Sequence, residues 1–359
     1  MRQTEICIVG GGPAGLSAAL KAAALGADVT LIDRNDYLGG QLIKQTHRFF
    51  GSKQQRASER GINIAHELAA AVQQEEKITV LTEATVLGYY KDGVITVEQN
   101  EKYLKIKPQK IIMATGGAEK SLLFPNNDLP GIYGAGAVQT LVNVYGVKPG
   151  NRVLMVGAGN IGVIVSYQLL QAGIEVAAII EAAPRIGAYW VHASKVVRAG
   201  VPIYTGYTIK RAWGEKEVQG ATIVQLDEKW QPVPGTEKDL EVDVICLSVG
   251  LSPLTELLWQ AGCKMEFVPE LGGHVPLRND LLETSVPGIY VAGDVSGIEE
   301  ASAAMMEGAL AGLNAAKALG YDAPDFTEQR DNIIKELKGL RSGPVGEKIR
   351  NGLAKVSLA

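Results

Sequence analysis

Apolar positions in this chain fall into short runs broken by glycine, and the runs alternate between two periods. EICIVG near the start reads as a short buried strand. PAGLSAALKAAALG is rich in alanine and stops at Gly26, which predicts a helix. DVTLID predicts the next buried strand. The polar stretch RNDYLGGQLIKQTHRFFGSKQQRASERG follows and shows no clean period. Its 28 residues are long for a passive connection inside a compact domain, which points to a functional loop. INIAHELAAAVQQ is helical, and ITVLTEATVLGYY, VITVEQ and YLKIKPQKIIMAT alternate as strands, with KDG at 91–93 as a hairpin turn.

From about residue 150 the opening order recurs: strand RVLMVG, turn AGNIG, helix VIVSYQLLQAG, strand EVAAIIE. This is one βαβ unit used twice and not a short-period solenoid. VDVICLSVG and GIYVAGD read as further buried strands that end in glycine, and EEASAAMMEGALAGLNAAKALG as a helix opened by acids and closed by Gly320. Beyond Tyr321 the pattern changes to two short helical pieces around GLRSGPVG, with five basic residues and one acid from Lys338 onward.

The repeated turns carry the chemistry. Gly10, Gly12 and Gly15 follow a strand and open a helix at Pro13 and Ala14. Such glycines supply a tight turn, bare backbone for a pyrophosphate, and close helix packing. A diphosphate rests there on unpaired amides at the positive end of the helix. Asp33 ends the following strand, 18 residues after Gly15, where an acid would hold a ribose hydroxyl. Gly157, Gly159 and Gly162, with Asn160 and Ile161 between them, repeat the motif, and Glu181 ends the next strand 19 residues after Gly162. An acid at that place accepts from both ribose hydroxyls and repels a 2′-phosphate, so it favours NAD over NADP, although Arg185 could soften the preference.

Composition narrows the class. The chain has 359 residues, 46% hydrophobic and 21% charged, which predicts two or three globular domains. A net charge of −4 argues against nucleic-acid binding. No apolar run approaches the ~18 residues of a membrane span, and no signal peptide is visible at the start. Cys7, Cys246 and Cys263 are far apart in sequence with no CxxC, which predicts small buried hydrophobes in a reducing, cytoplasmic setting. Neither HExxH nor a carboxylate cluster with metal spacing occurs, so no metal site is expected.

Taken in order, GGGPAG with Asp33, GGQL at 39–42, ATGG at 114–117, GAGNIG with Glu181, SVGLSP at 248–253 and VAGD at 291–294 resemble the flavoprotein pyridine-nucleotide oxidoreductases, the group that includes thioredoxin reductase. The resemblance implies an α/β protein of two Rossmann-like dinucleotide-binding domains, the NAD domain (121–250) inserted into the FAD domain (1–120 and 251–322), with 323–359 as a helical tail. FAD would occupy the first cradle, lined by Asp33, Arg34, Ala114, Thr115 and Gly116, and NAD(H) the second, with Gly250 nearby. Gly293 and Asp294 would face the ribityl chain, and the amides of Ala301 and Ser302 the flavin pyrimidine end. Gly40, Gln41 and Leu42 would lie along the flavin with Thr46 close by, and the Val86 backbone would touch the adenine. No catalytic side chain is assigned, because the flavin itself carries the redox chemistry.

The chain also departs from that group. Leu42 and His47 stand where one type of redox cysteine pair would fall, and the other type's position, within GAGAVQTLVNVYG, has no cysteine. The layout is similar to FAD subunits of multi-subunit oxidases and dehydrogenases: sarcosine oxidase α, opine oxidase, hydrogen cyanide synthase and dye-linked proline dehydrogenase. That likeness implies an oligomer with a partner flavoprotein or iron–sulfur subunit, and a second nucleotide site that is either turned over or structural. An electron-relay subunit of an amino-acid, opine or glycerol-phosphate type dehydrogenase is the alternative to an NADH-linked enzyme, and a redox sensor is a third reading. Lys44, Thr46, His47 and Arg48 are either flavin-side contacts or a solvated loop, and RFFGS suggests two exposed aromatics. His192 beside Trp190 is either a helix-face residue or a stacking partner for a nucleotide. The basic tail is either a solvated end or a docking segment anchored by Arg341 and Arg350.

Overall fold

The computed structural model describes residues 1–358, which divide into two compact units: 1–118 with 251–358, and 119–250. In the first unit the chain runs β1 (Arg2–Val9), α1 (Pro13–Ala24), β2 (Val29–Ile32), α2 (Gly61–Gln74), β3 (Ile78–Leu81), β4 (Ala84–Tyr89), β5 (Ile95–Gln99) and β6 (Lys102–Met113). After β7 (Gly117–Glu119) the second unit holds β8 (Ile132–Gly134), α3 (Ala135–Asn143), β9 (Arg152–Val156), α4 (Asn160–Gln171), β10 (Glu175–Glu181), α5 (Trp190–Arg198), β11 (Ile203–Thr205), β12 (Tyr207–Trp213), β13 (Gly220–Gln225), β14 (Lys238–Glu241) and β15 (Val244–Leu247). The chain re-enters the first unit with β16 (Leu251–Pro253), α6 (Glu256–Gln260), β17 (Met265–Val268), β18 (Gly273–Pro276), β19 (Ile289–Val291), α7 (Ala301–Lys317), α8 (Phe326–Leu340) and α9 (Glu347–Ala354).

The main sheet of the first unit has the order β3-β2-β1-β6-β5-β4, and β19 also pairs with β6. Along one side β6 runs parallel to β1. Along the other, its early half pairs with the antiparallel hairpin strand β5 and its late half, Ile111–Met113, with β19. The parallel strands are apolar on both sides because both faces are covered. One face buries Ile6, Ile8, Leu31 and Ile112 under α1 and α7, and the other buries Cys7, Val9, Ile106 and Met113.

The second unit has a parallel sheet of order β11-β10-β9-β15-β8 and a separate antiparallel sheet β12-β13-β14. Val153 and Met155 point toward α3, α4 and α5, while Leu154 and Val156 pack with Ile209 and Ile223 of the antiparallel sheet. The two parallel sheets, each with its strand, glycine turn, helix and strand, give the α/β architecture read from the sequence. Among the described residues no helix is long and apolar enough to cross a membrane.

Three local readings change. The polar stretch after β2 is not irregular throughout: Gly40–Lys44 form a 3-10 turn, and Arg48 and Arg60 form an antiparallel bridge with Phe49 N–H donating to Glu59 O at 2.8 Å. The pattern hid this order because side chain and backbone contacts across a loop have no sequence period. Within RFFGS only Phe50 is exposed. Phe49 is buried with Leu42, Ile64 and Met305 and stacks on His47, so the expected pair of exposed aromatics is corrected to one. The tail also differs from a solvated end. Its helices belong to the first unit, Val356 is buried, and Arg278 N–H donates to Val356 O while Leu358 N–H donates to Arg278 O.

Helix α7 is held against α1 by two glycines one helical turn apart. A Cβ on Gly308 would lie 2.0 Å from Ala14 O, and one on Gly312 would lie 2.2 Å from Ala18 O. Only bare Cα atoms permit that approach, and it brings the α7 N-terminus toward the start of α1. Gly308→Ala is expected to lower the thermal midpoint by overpacking, at a cost of about 1–3 kcal/mol. Gly339→Ala, on the exposed end of α8 with nothing near its missing Cβ, is expected to have the opposite sign, a gain of about 0.5 kcal/mol. Thermal unfolding of both variants beside the unsubstituted protein checks the pair.

Candidate functional site

Each unit builds the same cradle from the same parts. At the first, Gly10 turns the chain at φ +109°, and a Cβ on Gly15 would sit 1.8 Å from Gly10 O. The helix therefore starts directly against the strand end. Its first turn has no side-chain cap and begins with Pro13, so the amides of Ala14 and Gly15 remain open. The space beside Gly12 is clear except for Gly40 Cα at 3.8 Å from a built Cβ.

The second cradle repeats this. Gly157 has φ +110°, a Cβ on Gly162 would lie 2.2 Å from Gly157 O, nothing stands within 4 Å of the Gly159 position, and α4 is again uncapped. Bare backbone in front of an uncapped helix start is a fit for a diphosphate.

The strand-end acids take up matching positions. Asp33 is buried; its Oδ2 accepts from Gly11 N–H at 2.6 Å and its Oδ1 from Asn35 N–H at 2.8 Å. Glu181 accepts from Ala158 N–H at 2.8 Å and Ala183 N–H at 3.0 Å. In both, one carboxylate oxygen fixes the glycine turn while acceptor capacity is left for a ligand hydroxyl. Ala84 N–H donates to Asp33 O, which puts Val86 two residues along the strand from the Asp33 end. Arg34 and Arg185 are exposed beside these acids.

The remaining expected residues of the first site lie in the same unit as its cradle. Gly39 N–H donates to Gly11 O at 2.8 Å, and a Cβ on Gly40 would meet Gly12 Cα at 2.7 Å, so the 3-10 turn leans on the glycine loop. Gln41 is exposed on that turn and Thr46 is half-buried beyond it. The Leu42 side chain is fully buried in a core cluster, so only its backbone is open to a ligand. Ala114 N–H donates to Val9 O, Thr115 Oγ1 donates to Leu254 O at 2.6 Å, and Gly116 takes φ +80°. Ala301 and Ser302 open α7, which has no side-chain cap; Ser302 Oγ donates to Gln55 O at 3.3 Å.

In the second unit, Asn160 Oδ1 accepts from Tyr189 N–H at 2.9 Å, so Asn160 ties the 187–189 segment to the start of α4. Ile161 is exposed there, and Gly250 takes φ +104° and accepts from Lys120 N–H. His192 is buried on α5 with its ring tilted against Tyr189, and burial, then Lys195, lowers its pKa. Trp190 points to solvent.

A charge network under the third glycine turn had no sequence signature as a set. Glu307 Oε1 takes both Arg278 Nη2 at 2.8 Å and Arg341 Nη2 at 2.6 Å, while its Oε2 accepts from Gly293 N–H at 3.0 Å and Ser296 Oγ at 2.9 Å. Arg341 also forks onto Glu299. Burial pushes the Glu307 carboxyl up, yet the two guanidiniums outweigh it and hold the group down at about 2. Arg341 is thus spent internally, and Arg350 donates to Arg341 O and Gly343 O; neither is the free docking anchor expected for the tail. The one available hint was that Glu307 is the lone acid in α7. All three cysteines are free and buried, and burial pushes Cys7 up to about 12. Such thiols do not ionise near neutrality.

Fold and site together define an oxidoreductase of the class with two dinucleotide-binding folds. Residues 4–308 match the pyridine nucleotide-disulphide oxidoreductase family, and the chain belongs to that family, whose members are FAD-dependent enzymes or flavin subunits of larger ones. It is 30% identical over 336 residues to the alpha subunit of sarcosine oxidase from Corynebacterium sp. strain P-1, covering 89% of this chain and 33% of that protein. It thus spans about a third of the length of that relative. Hydrogen cyanide synthase subunit HcnB of Pseudomonas aeruginosa is 25% identical, covering 98% of this chain and 80% of that protein. Among solved structures, L-proline dehydrogenase from P. horikoshii superposes with a TM-score of 0.71 at 25% identity, covering 92% of this chain and 59% of that one.

Asp294 sits on the same glycine turn, partly buried, with Glu299 N–H 3.4 Å from its Oδ1. Burial pushes its carboxyl up to about 7; the Glu299 amide opposes this, and the charges of Glu307 and Glu299 add to it. The folded flavin-free protein therefore holds this proton more tightly than the unfolded chain. The resulting stability is full below 3.8 and is lost as pH rises through about 7. Asp294→Asn should match the unsubstituted flavin-free protein below that interval and be the more stable above it, by on the order of 1–2 kcal/mol after allowing for partial exposure. Thermal unfolding on either side of the interval measures this.

Proposed function

We propose that the protein exchanges electrons between NAD(H) and FAD without a redox disulfide and hands them to, or receives them from, a partner subunit. The observation that carries this reading is the duplicated cradle: a bare glycine turn, an uncapped helix and a strand-end acid, present once in each unit. FAD belongs to the first, because the VAGD turn and the start of α7 lie in that unit with Asp33 and Gly40. There Gly10, Gly12, Pro13, Ala14 and Gly15 cradle the diphosphate, Asp33 and Arg34 take the adenosine ribose, and the Val86 backbone takes the adenine. Gly40, Gln41, Leu42, Thr46 and Ala114–Gly116 line the flavin side. Gly293 and Asp294 hold the ribityl chain, and Ala301 and Ser302 offer helix-start amides to the negative end of a reduced ring. In the second unit Gly157, Gly159, Asn160, Ile161 and Gly162 hold the NAD diphosphate, Glu181 the ribose, and Gly250 the far side.

Bound FAD supplies hydride acceptance and one- or two-electron release. The chain's own part is to orient the rings and to offer dipoles; no side-chain acid or base is required for a hydride to pass between stacked rings. The absence of an ionisable thiol in either disulfide position removes the dithiol exit, and electrons must leave through another protein or an oxidant. The relatives from sarcosine oxidase, opine oxidase and hydrogen cyanide synthase are all named as subunits. Their names favour a second reading, a relay subunit in which the partner oxidises an amine or amino-acid substrate and the second nucleotide is structural. A cytoplasmic setting fits either one.

Anaerobic addition of NADH to the purified yellow protein separates the two. Rapid loss of flavin absorbance is the expected result; persistence of the colour while NAD stays bound would move the function to the relay. Glu181→Gln keeps an acceptor for Ala158 N–H but drops the charge. It is expected to weaken NADH binding roughly tenfold and to narrow the preference over NADPH, as read by titration.

A further inference from the structure

The family match ends at residue 308, yet the chain continues through α8 and α9 and returns to the first unit. What this segment touches is specific. Arg341, the residue closing α8, forks onto Glu299 with Nε–Oε2 at 3.1 Å and Nη2–Oε1 at 2.6 Å, and the same Nη2 reaches Glu307 at 2.6 Å. Its side chain is 14% exposed, against 10% for Glu299 and 3% for Glu307. One turn and a half earlier on α8, Glu336 Oε2 accepts from Ser52 Oγ at 2.7 Å and from Gln55 Nε2 at 2.6 Å. Gln55 O in turn receives Ser302 Oγ. The terminal residues close the other side: Val356 and Leu358 bracket Arg278 through its backbone, and Arg278 completes the pairing of Glu307.

These contacts converge on two walls. Glu299 and Glu307 hold the Gly293–Ser296 turn and the start of α7, and Ser52 and Gln55 belong to the loop that follows Gly40–Lys44. We propose that the segment after α7 is a brace for the flavin-side walls of the first cradle, and that Arg341 is a positioning residue acting through Glu299 and Glu307. The proposal rests on the assignment of FAD to that cradle. Two buried carboxylates here are balanced by two guanidiniums. Taking away one partner of a buried pair leaves an uncompensated charge, which is far costlier than never having built the pair. That surplus negative charge would stand on the element that presents the Ala301 and Ser302 amides, where it opposes added electrons on a neighbouring ring.

Arg341→Met tests this in the full chain. FAD affinity, by fluorescence titration of the flavin-free protein, should fall roughly tenfold, and the flavin reduction potential should move negative. The double variant Arg341→Met with Glu299→Gln removes the surplus charge and should recover both. A packing role alone would not recover on losing a second contact, so failure of the rescue overturns the positioning role. Equality of Arg341→Met with the unsubstituted protein in affinity and potential overturns the brace. If Arg341→Met does not fold, Arg341→Lys carries the comparison. It keeps the charge without the fork, so weaker FAD binding with a smaller potential shift is expected, and identity in both measurements overturns the proposal. A colourless unsubstituted protein that takes up no added FAD would instead sink the assignment of FAD to the cradle.

Discussion

One steric constraint shapes both units: the start of a helix lies so close to the end of a strand that no side chain fits between them. Gly15 faces Gly10 O and Gly162 faces Gly157 O at distances no Cβ could tolerate. That closeness has two consequences. It sets the open amides of the helix at the carboxyl end of a central strand, and it brings the next strand's acid within reach of the turn. Asp33 and Glu181 each spend one oxygen on the turn's own N–H. The acid thus holds the glycine turn in place before any ligand contact is considered. Removing the acceptor oxygen altogether would leave the turn's own N–H without its partner.

The same device recurs one layer out. Gly308 and Gly312 let α7 settle onto α1 at backbone contact, so the helix that presents Ala301 and Ser302 is registered against the helix that presents Ala14 and Gly15. Glu307, next to Gly308, then lies under the Gly293 turn and accepts its N–H. Three separate stretches of sequence meet because small residues remove what would hold them apart. Packing of this kind costs backbone entropy at each glycine. Its return is geometric, a close registration of α7 on α1.

Much of this was legible in the chain. The glycine turns, the strand-end acids and the VAGD turn are local patterns, each set by a period or a fixed spacing, and their order carried the α/β fold. What stayed hidden is nonlocal. Arg278, Glu299, Glu307 and Arg341 are spread over 64 positions and share no motif; only the fold shows that they form one network. Phe49 looked exposed because its neighbours are polar, but its ring stacks on His47 and packs under α2. The basic character of the tail suggested a surface for partners, yet its most informative arginine faces inward. Composition reports how much charge a segment carries and not which way that charge points.

The missing dithiol bears on how the chain must work. In a protein with a redox cysteine pair, electrons leave the flavin through sulfur held beside it. Here the comparable positions carry Leu42, sealed in a core, and His47, stacked on Phe49. Those positions are built as packed wall, Leu42 among Ile64 and Met305 and His47 against Phe49. A packed wall gives no covalent exit, and buried thiols such as Cys7 and Cys246 cannot substitute, because burial pushes both thiols up, away from ionisation. Under the proposed function, electrons are then exchanged across a surface and not through sulfur. The orientation and charge of the flavin-side elements then matter more than any single reactive group. The proposed brace after α7, with Arg341 buried against Glu299 and Glu307, answers that demand: where no residue reacts, position and electrostatics are what the protein has left to control.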